Sequence, residues 1–323
     1  MTKLKGILLT QGMHGMISQV EGLAKALDLD FTHHTVELNN FWKIFPPKLT
    51  PISQNVFKKI NAEDFDVIIS CGRKSVIPSI YLKKNSSKKI INIHIQDPKV
   101  NLDNFSYVIA PEHDGLSGMN IFSTKGAMHY LSREEIENNS DYLKNRLDTN
   151  KEYFSLILGG PTKHYDYSDE NILNILDLFD NLISKNSLQG IVIPSMRTPQ
   201  NIIELCKNKL STNSLIIDNV DKKAYLSALS IAKYVAVTCD STSMISEAAL
   251  TGKPIYIADI PTKKNDQRIQ KFKKLFHQLN ITKKLDTKLE TWDYEILDET
   301  SRVAQEIKKQ LSTINQESFQ RLL

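Results

Sequence analysis

Cysteine is scarce. Cys71, Cys206 and Cys239 are the only three in 323 residues, and no two lie at a spacing that would hold zinc or build a disulfide framework. They are expected as reduced, structural thiols, with no metal site. Long apolar runs are also missing, since none approaches the roughly 18 to 20 residues of a membrane-spanning helix. The opening stretch MTKLKGILLTQGMHGM has an apolar part too short for a signal-peptide core and no small-residue cleavage site, so a cytoplasmic protein is expected. Strong charge is lacking too. A net charge of +4 and a pI of about 8.7, without a basic stripe or stacking aromatics, exclude nucleic acid as the expected partner. No solenoid-length repeat or low-complexity tract is visible.

What is present reads as an ordinary globular chain, with 41% hydrophobic and 24% charged residues and enough length for two cores. Short apolar runs alternate with helix-period segments: 7–9, 66–69, 90–95, 107–110, 154–158, 191–193, 215–217, 234–237 and 255–257. That alternation predicts an α/β protein with doubly wound parallel sheets covered by helices. Ile17, Val20, Leu23, Ala24 and Leu27 share one face of the first helix. The polar stretch Ser132 to Lys151 reads as a linker or exposed helix. The expected division is therefore an N-terminal Rossmann-like domain over 1–150 and a second over 151–323. Val303, Ile307, Leu311 and Ile314 predict a final amphipathic helix that packs back on the first domain. Two such domains in tandem would place their strand carboxyl ends, where these sheets bind ligands, across a shared cleft.

The polar loops fall at those strand ends. They are TQGMHGMISQ, SCGRKS, IQDPKV and APEHDGLSGMN in the first half, then GGPTKHY, PSMRTP and CDSTSMISE. Ser241, Thr242 and Ser243 at a helix start could hold a phosphate with hydroxyl and amide donors, leaving Glu247, one turn on, to reach sugar hydroxyls. The competing reading makes Asp240 an N-cap, Gly252 the residue after the helix and Pro254 its stop. Asp240 repels a bare phosphate unless a metal or a base intervenes, and Arg197 and Lys163 on neighbouring loops could supply that positive charge. His14 and the run Glu112, His113, Asp114 are acid/base candidates, each weighed against a solvated loop residue. Asp97 reads as a turn residue before Pro98, and Cys71 as a buried inert thiol rather than a nucleophile. The basic segment from Lys263 to Lys274, with Phe272, Leu275 and Phe276 interleaved, gives either weak peripheral attraction to an anionic membrane or a solvated helix with one buried face.

Taken in order, SCGRKS, IQDP, APEHDGLSGMNIFSTKGAMH, LGGPTKHY, RTP and VTCDSTSMISEAALTGKPIYI resemble the family of the plant mitochondrial fission factor elongated mitochondria, especially its bacterial homologues. The resemblance spans most of residues 4–260 and implies a GT-B-like fold with nucleotide-sugar binding in the second domain. It carries Gly159 and Gly160 onto the family's Gly-Gly loop and Arg197 onto its basic residue before Thr-Pro. It also carries Ser241, Ser243 and Glu247 onto its hydroxyl-rich helix start, where a GT-B glutamate holds the donor ribose. Met196 replaces the family's second arginine, and Lys222 to Tyr225 replaces a usual Asn-Pro-Tyr. The implied function is metal-independent transfer of a sugar from a nucleoside diphosphate donor to an unknown acceptor, with no cofactor beyond that substrate. The alternatives are an adaptor without catalysis and a sugar-nucleotide epimerase.

Overall fold

The computed structural model describes residues 3–60 and 64–320, with side chains through residue 310 other than that of His113. The chain divides into two compact units, Met1–Tyr130 with Asp298–Leu323, and Leu131–Leu297. Unit 1 runs β1 (Lys5–Thr10), α1 (His14–Ala26), β2 (Asp30–Thr35), β3 (Val67–Cys71), α2 (Val76–Lys84), β4 (Ile91–Ile95), β5 (Tyr107–Pro111) and β6 (Ile121–Thr124). Unit 2 continues with α3 (Arg133–Glu137), β7 (Tyr153–Leu158), α4 (Asp169–Lys185), β8 (Gln189–Pro194), α5 (Gln200–Lys209) and β9 (Ser214–Ile216). It ends with α6 (Lys222–Ile231), β10 (Ala232–Thr238), α7 (Thr242–Ala248), β11 (Ile255–Ala258), α8 (Gln267–Gln278) and β12 (Thr282–Lys284). The last helix, α9 (Glu299–Gln320), returns to unit 1.

The first sheet is parallel in the order β2-β1-β3-β4-β5-β6. Because successive strand side chains point to opposite faces, one run of apolar residues serves two layers. Leu8, Val67, Ile69 and Ile93 pack under Val20 and Leu23 of α1 and Val303 and Ile307 of α9. Ile7, Leu9 and Ile68 pack the other way, against Leu38, Phe57 and Ile77 of α2. On α1, Val20, Leu23 and Ala24 are buried, with Ile17 and Leu27 half-buried at the margins. The buried His94 on β4 lies 2.9 Å from Ser70 Oγ, and burial pushes its imidazole down to about 3, so it is neutral in the core. Thr300 fixes α9 by accepting from the His129 amide at 3.1 Å and donating to its carbonyl at 2.9 Å. The side chains of Leu311 and Ile314 lie outside the described residues.

The second sheet is parallel in the order β12-β11-β10-β7-β8-β9. Phe154 on β7 meets Phe179 of α4 with ring centroids 4.7 Å apart, while its neighbour Ser155 bonds the Ala228 carbonyl of α6 at 2.9 Å. Helices therefore cover both faces. The half-buried Lys253 donates to the Leu229 carbonyl at 2.9 Å and to that of Ser230, satisfying acceptors left open at the end of α6. Burial pushes its ammonium down to about 8.

Residues 131–150, expected as the end of the first domain, fall in unit 2. Ile136 and Leu143 are buried, the Leu143 amide bonds Ser227 Oγ at 3.2 Å, and Lys222 pairs with Glu135 at 2.6 Å. In α8, Phe272 and Phe276 are buried with ring centroids 4.1 Å apart. The segment 263–274 is thus the solvated helix with one buried face, and its phenylalanines are withheld from any membrane. Among the described residues no helix is long and apolar enough to cross one.

Gly22 marks where α1 passes the backbone at His129, since a Cβ there would overlap the His129 carbonyl. Alanine in a helix interior normally gains about 1 kcal/mol over glycine. Here Gly22→Ala is expected to destabilise by about 1–3 kcal/mol through overpacking, read as a lower urea midpoint at unchanged slope; a stabilised variant would refute the close contact.

Candidate functional site

Counted from its first strand, the second sheet reads 3-2-1-4-5-6, the dinucleotide-binding order, with its topological switch between β7 and β10. The loops leaving those two strands are residues 159–168 and 239–241, so the sheet opens its crevice where the Gly-Gly and Asp-Ser stretches lie. The β8 loop with Arg197 adjoins them.

Asp240 joins all three. Its side chain is wholly buried, and one oxygen accepts from the Gly160 amide at 3.0 Å and from Arg197 Nη2 at 2.8 Å. Arg197 Nη1 donates to the Gly160 carbonyl at 2.8 Å. The other carboxylate oxygen is buried with no protein partner. A side chain at Gly159 would overlap the Asp240 carboxylate, and one at Gly160 would overlap the Arg197 backbone. Glycine is required at both by close approach. The Gly159 amide is taken by Thr238 Oγ1 at 2.7 Å and its carbonyl by Ser195 and Thr198 hydroxyls. Both loop amides are thus spent within the protein.

The N-cap of α7 is Ser241, whose hydroxyl accepts from the Met244 amide at 3.5 Å, so Asp240 is not the cap. Gly252 does adopt the left-handed conformation that ends the following turn. Thr242 and Ser243 are partly accessible, and Lys163 is exposed with no ion-pair partner among the described residues. Met196, beside Arg197, is exposed. On α7, Glu247 Oε2 accepts from Tyr225 Oη of α6 at 2.6 Å. Burial outweighs that bond and pushes the Glu247 carboxyl up to about 7. The substituted Lys222 to Tyr225 segment therefore keeps the one residue that holds Glu247. Tyr225 and Asp240 complete the set of candidate site residues, and only their neighbouring motifs pointed to them.

In unit 1 the order 2-1-3-4-5 puts the switch between β1 and β3. His14 stands there, exposed at the start of α1 and edge-on to Tyr130 at 6.4 Å. The loops after β1 and β3 touch, since a Cβ at Gly72 would lie 2.7 Å from both Gln11 and Met16. Glu112 and Asp114 lie on a turn after β5, three strand spacings away, or about 14 Å. They form no dyad with His14, and the His113 side chain lies outside the described residues. Asp97 accepts from the Lys99 amide at 2.8 Å, as a turn residue does. Burial pushes the Cys71 thiol up to about 12, leaving it inert. Among the described residues no cluster of His, Cys, Asp or Glu could hold a metal ion.

The folds of three solved structures are similar. A glycotransferase of kitacinnamycin matches with a TM-score of 0.57 at 12% identity, over 96% of this chain and 100% of that one. The UDP-GlcNAc 2-epimerase of Methanocaldococcus jannaschii matches at 0.52 and 17% identity, over 94% and 99%. The MnaA-UDP co-structure from S. aureus matches at 0.52 and 14%, over 94% and 88%. These likenesses and the two strand orders define the class as GT-B-like, α/β with two Rossmann-type parallel sheets. The chain belongs to the family described as Mitochondrial fission ELM1, whose sequence model matches residues 14–311. Relatives include the uncharacterized protein RP120 of Rickettsia prowazekii, 28% identical over 91% of this chain and 95% of that protein. The mitochondrial fission protein ELM1 of Arabidopsis thaliana is 22% identical over 76% of this chain and 64% of that protein.

Two stability measurements test this geometry. Arg197→Ala strands a buried carboxylate and should cost about 3 kcal/mol, more than Asp240→Asn, which leaves a half-exposed guanidinium in water; the double variant should recover much of the first loss. The reverse ranking would show that the pair does not carry the loop. For Glu247, the folded group titrates near 7 against 4.5 as its ordinary value. The unfolded chain thus ionises first, and stability falls as pH rises through that window. Glu247→Gln removes the penalty, so its advantage in denaturant melts should be absent near about pH 4 and reach about 1–3 kcal/mol by about pH 8. A pH-independent difference would contradict the burial.

Proposed function

We propose that unit 2 binds a nucleoside diphosphate-sugar at the β7/β10 switch point and that the protein transfers the sugar to an acceptor without a metal. The observation that supports this reading is that Asp240 ties Arg197 and the Gly-Gly loop together at the switch point of a sheet with the dinucleotide-binding order, one helix start away from the pair Tyr225 and Glu247. Similar folds in a UDP-GlcNAc 2-epimerase and in a protein solved with UDP support it. In this reading Glu247, aimed by Tyr225, accepts hydrogen bonds from the ribose hydroxyls. Arg197 is already neutralised by Asp240, so the diphosphate charge falls to Lys163 and to the Thr242 and Ser243 donors. The Gly-Gly pair contributes close packing. Of the unit 1 acid/base candidates, His14 is the one at that unit's own switch point, and we assign it as a general base on chemical grounds alone.

An epimerase shares the donor site and differs in what leaves it. Following a nucleotide-sugar by NMR separates the two: transfer breaks the bond from the anomeric carbon to the diphosphate oxygen and releases nucleoside diphosphate, whereas epimerisation inverts a sugar centre and ends with the sugar still joined to the diphosphate.

The binding step is tested first. A nucleoside diphosphate at a hundred times its dissociation constant should stabilise the protein by about 2.7 kcal/mol in a thermal-shift screen. By calorimetry, Glu247→Gln should weaken a ribonucleotide by about 1.5–3 kcal/mol, the scale of a charge-assisted bond, and a 2′,3′-dideoxy analogue much less. Equal losses for both nucleotides would remove Glu247 from the ribose. No stabilisation by any nucleoside diphosphate or its sugar would reject the donor site and leave an interaction protein on a GT-B-like fold.

A further inference from the structure

The segment between β2 and β3 holds apolar groups in water. It crosses the sheet face of Ile7, Leu9 and Ile68 in short turns, with Trp42 packed partway onto that core and Pro47, Val56 and Phe57 buried. Leu38 and Phe57 close it with an isolated antiparallel bridge. Fixed this way, Phe41, Ile44 and Leu49 remain 64%, 79% and 63% exposed, and Ile52 of the same segment is exposed as well. The Phe41 ring lies 4.9 Å from Trp42 and 5.1 Å from Phe45, which in turn lies 5.7 Å from Trp42. Phe41 is the exposed edge of an ordered aromatic cluster whose Trp42 and Phe45 are half-buried, and exposed apolar groups concentrated in one segment mark a contact surface rather than scattered surface residues.

Its rim is basic. Residues 37–60 carry Lys43, Lys48, Lys58 and Lys59 against one acid, Glu37. Glu37 is itself neutralised by Lys58 at 2.5 Å, and Lys58, with Lys43 and Lys74 behind it, holds the Glu37 carboxyl below its ordinary range. Arg73, in the turn after β3, donates to the Lys43 carbonyl and brings a further basic pair, Arg73 and Lys74, to the same edge. An apolar centre with lysine and arginine around it matches a surface that is anionic outside and apolar beneath.

We propose that this face docks on an anionic lipid bilayer. Phe41, Ile44 and Leu49 enter the boundary between headgroups and acyl chains, and Lys43, Lys48, Arg73 and Lys74 meet the headgroup phosphates. Lysine stems and aromatic rings suit that depth. The basic helix α8 lacks the apolar half of this arrangement, because Phe272 and Phe276 are buried.

The test is co-sedimentation of the full chain with phosphatidylcholine vesicles, with and without phosphatidylglycerol. Wild type should sediment with the anionic vesicles, less as salt rises, and Trp42 emission should shift to the blue. Phe41→Ser/Ile44→Ser/Leu49→Ser should lower partitioning about tenfold or more with an unchanged melt. Lys43→Glu/Lys48→Glu should remove the preference for phosphatidylglycerol, whereas Lys271→Glu/Lys274→Glu on α8 should leave it intact. The proposal is overturned if wild type sediments with neither vesicle or equally with both, or if the triple variant sediments like wild type. It is also overturned if light scattering finds a dimer that the triple variant dissociates, since the patch would then join two copies of this chain.

Discussion

A single buried carboxylate organises the second unit. Asp240 leaves β10 with its side chain wholly buried, and an unpaired charge there would be too costly to persist. Arg197 comes from the β8 loop, two strands away, to pair with it, and the Gly160 amide comes from the loop of β7, the strand between them. Neither approach tolerates a Cβ at position 159 or 160. Three loops from three adjacent strands are thereby fixed by one group. The start of α7 follows directly from it, and with α7 the position of Glu247.

Much of the fold was legible because parallel strands buried on both faces must be continuously apolar. The central strands β1, β3, β4, β5, β7, β8, β10 and β11 all announce themselves that way. Three strands did not, β2 (DFTHHT), β6 (IFST) and β12 (TKK), and all three are edges. An edge strand has a neighbour on one side only, so polar residues are tolerated and the apolar run disappears. Residues 131–150 misled for a related reason. Their anchors, Ile136 and Leu143, are too sparse to give a period, and their attachment to α6 is largely polar, through Lys222, Ser227 and Asp221.

The candidate site was legible as a set of loops and opaque in its roles. Gly-Gly, Arg197 and the hydroxyl-rich helix start were visible as motifs at strand ends. That Ser241 caps α7 while Asp240 turns back to clamp the loops depends on one residue's difference in backbone direction, which composition does not encode. The glycine amides, which look ready to cradle phosphate, are consumed by Thr238 and Asp240. Tyr225 was hidden because its partner lies 22 positions along the chain on another helix.

Seven positions separate Asp240 from Glu247, and the two carboxyl groups have different partners. Asp240 has a guanidinium and an amide on one oxygen, enough to hold a carboxylate in the interior. Glu247 has a neutral phenol alone, and burial drives its carboxyl up to about 7. A group whose charge is resisted at neutral pH weakens the resting fold, and a glutamine could occupy the same bond without that cost. Structural needs therefore account for Asp240 but not for the acid at 247. Poorly compensated carboxylates concentrate where a ligand completes the missing hydrogen bonds. In the proposed reading sugar hydroxyls would be those donors beside Tyr225.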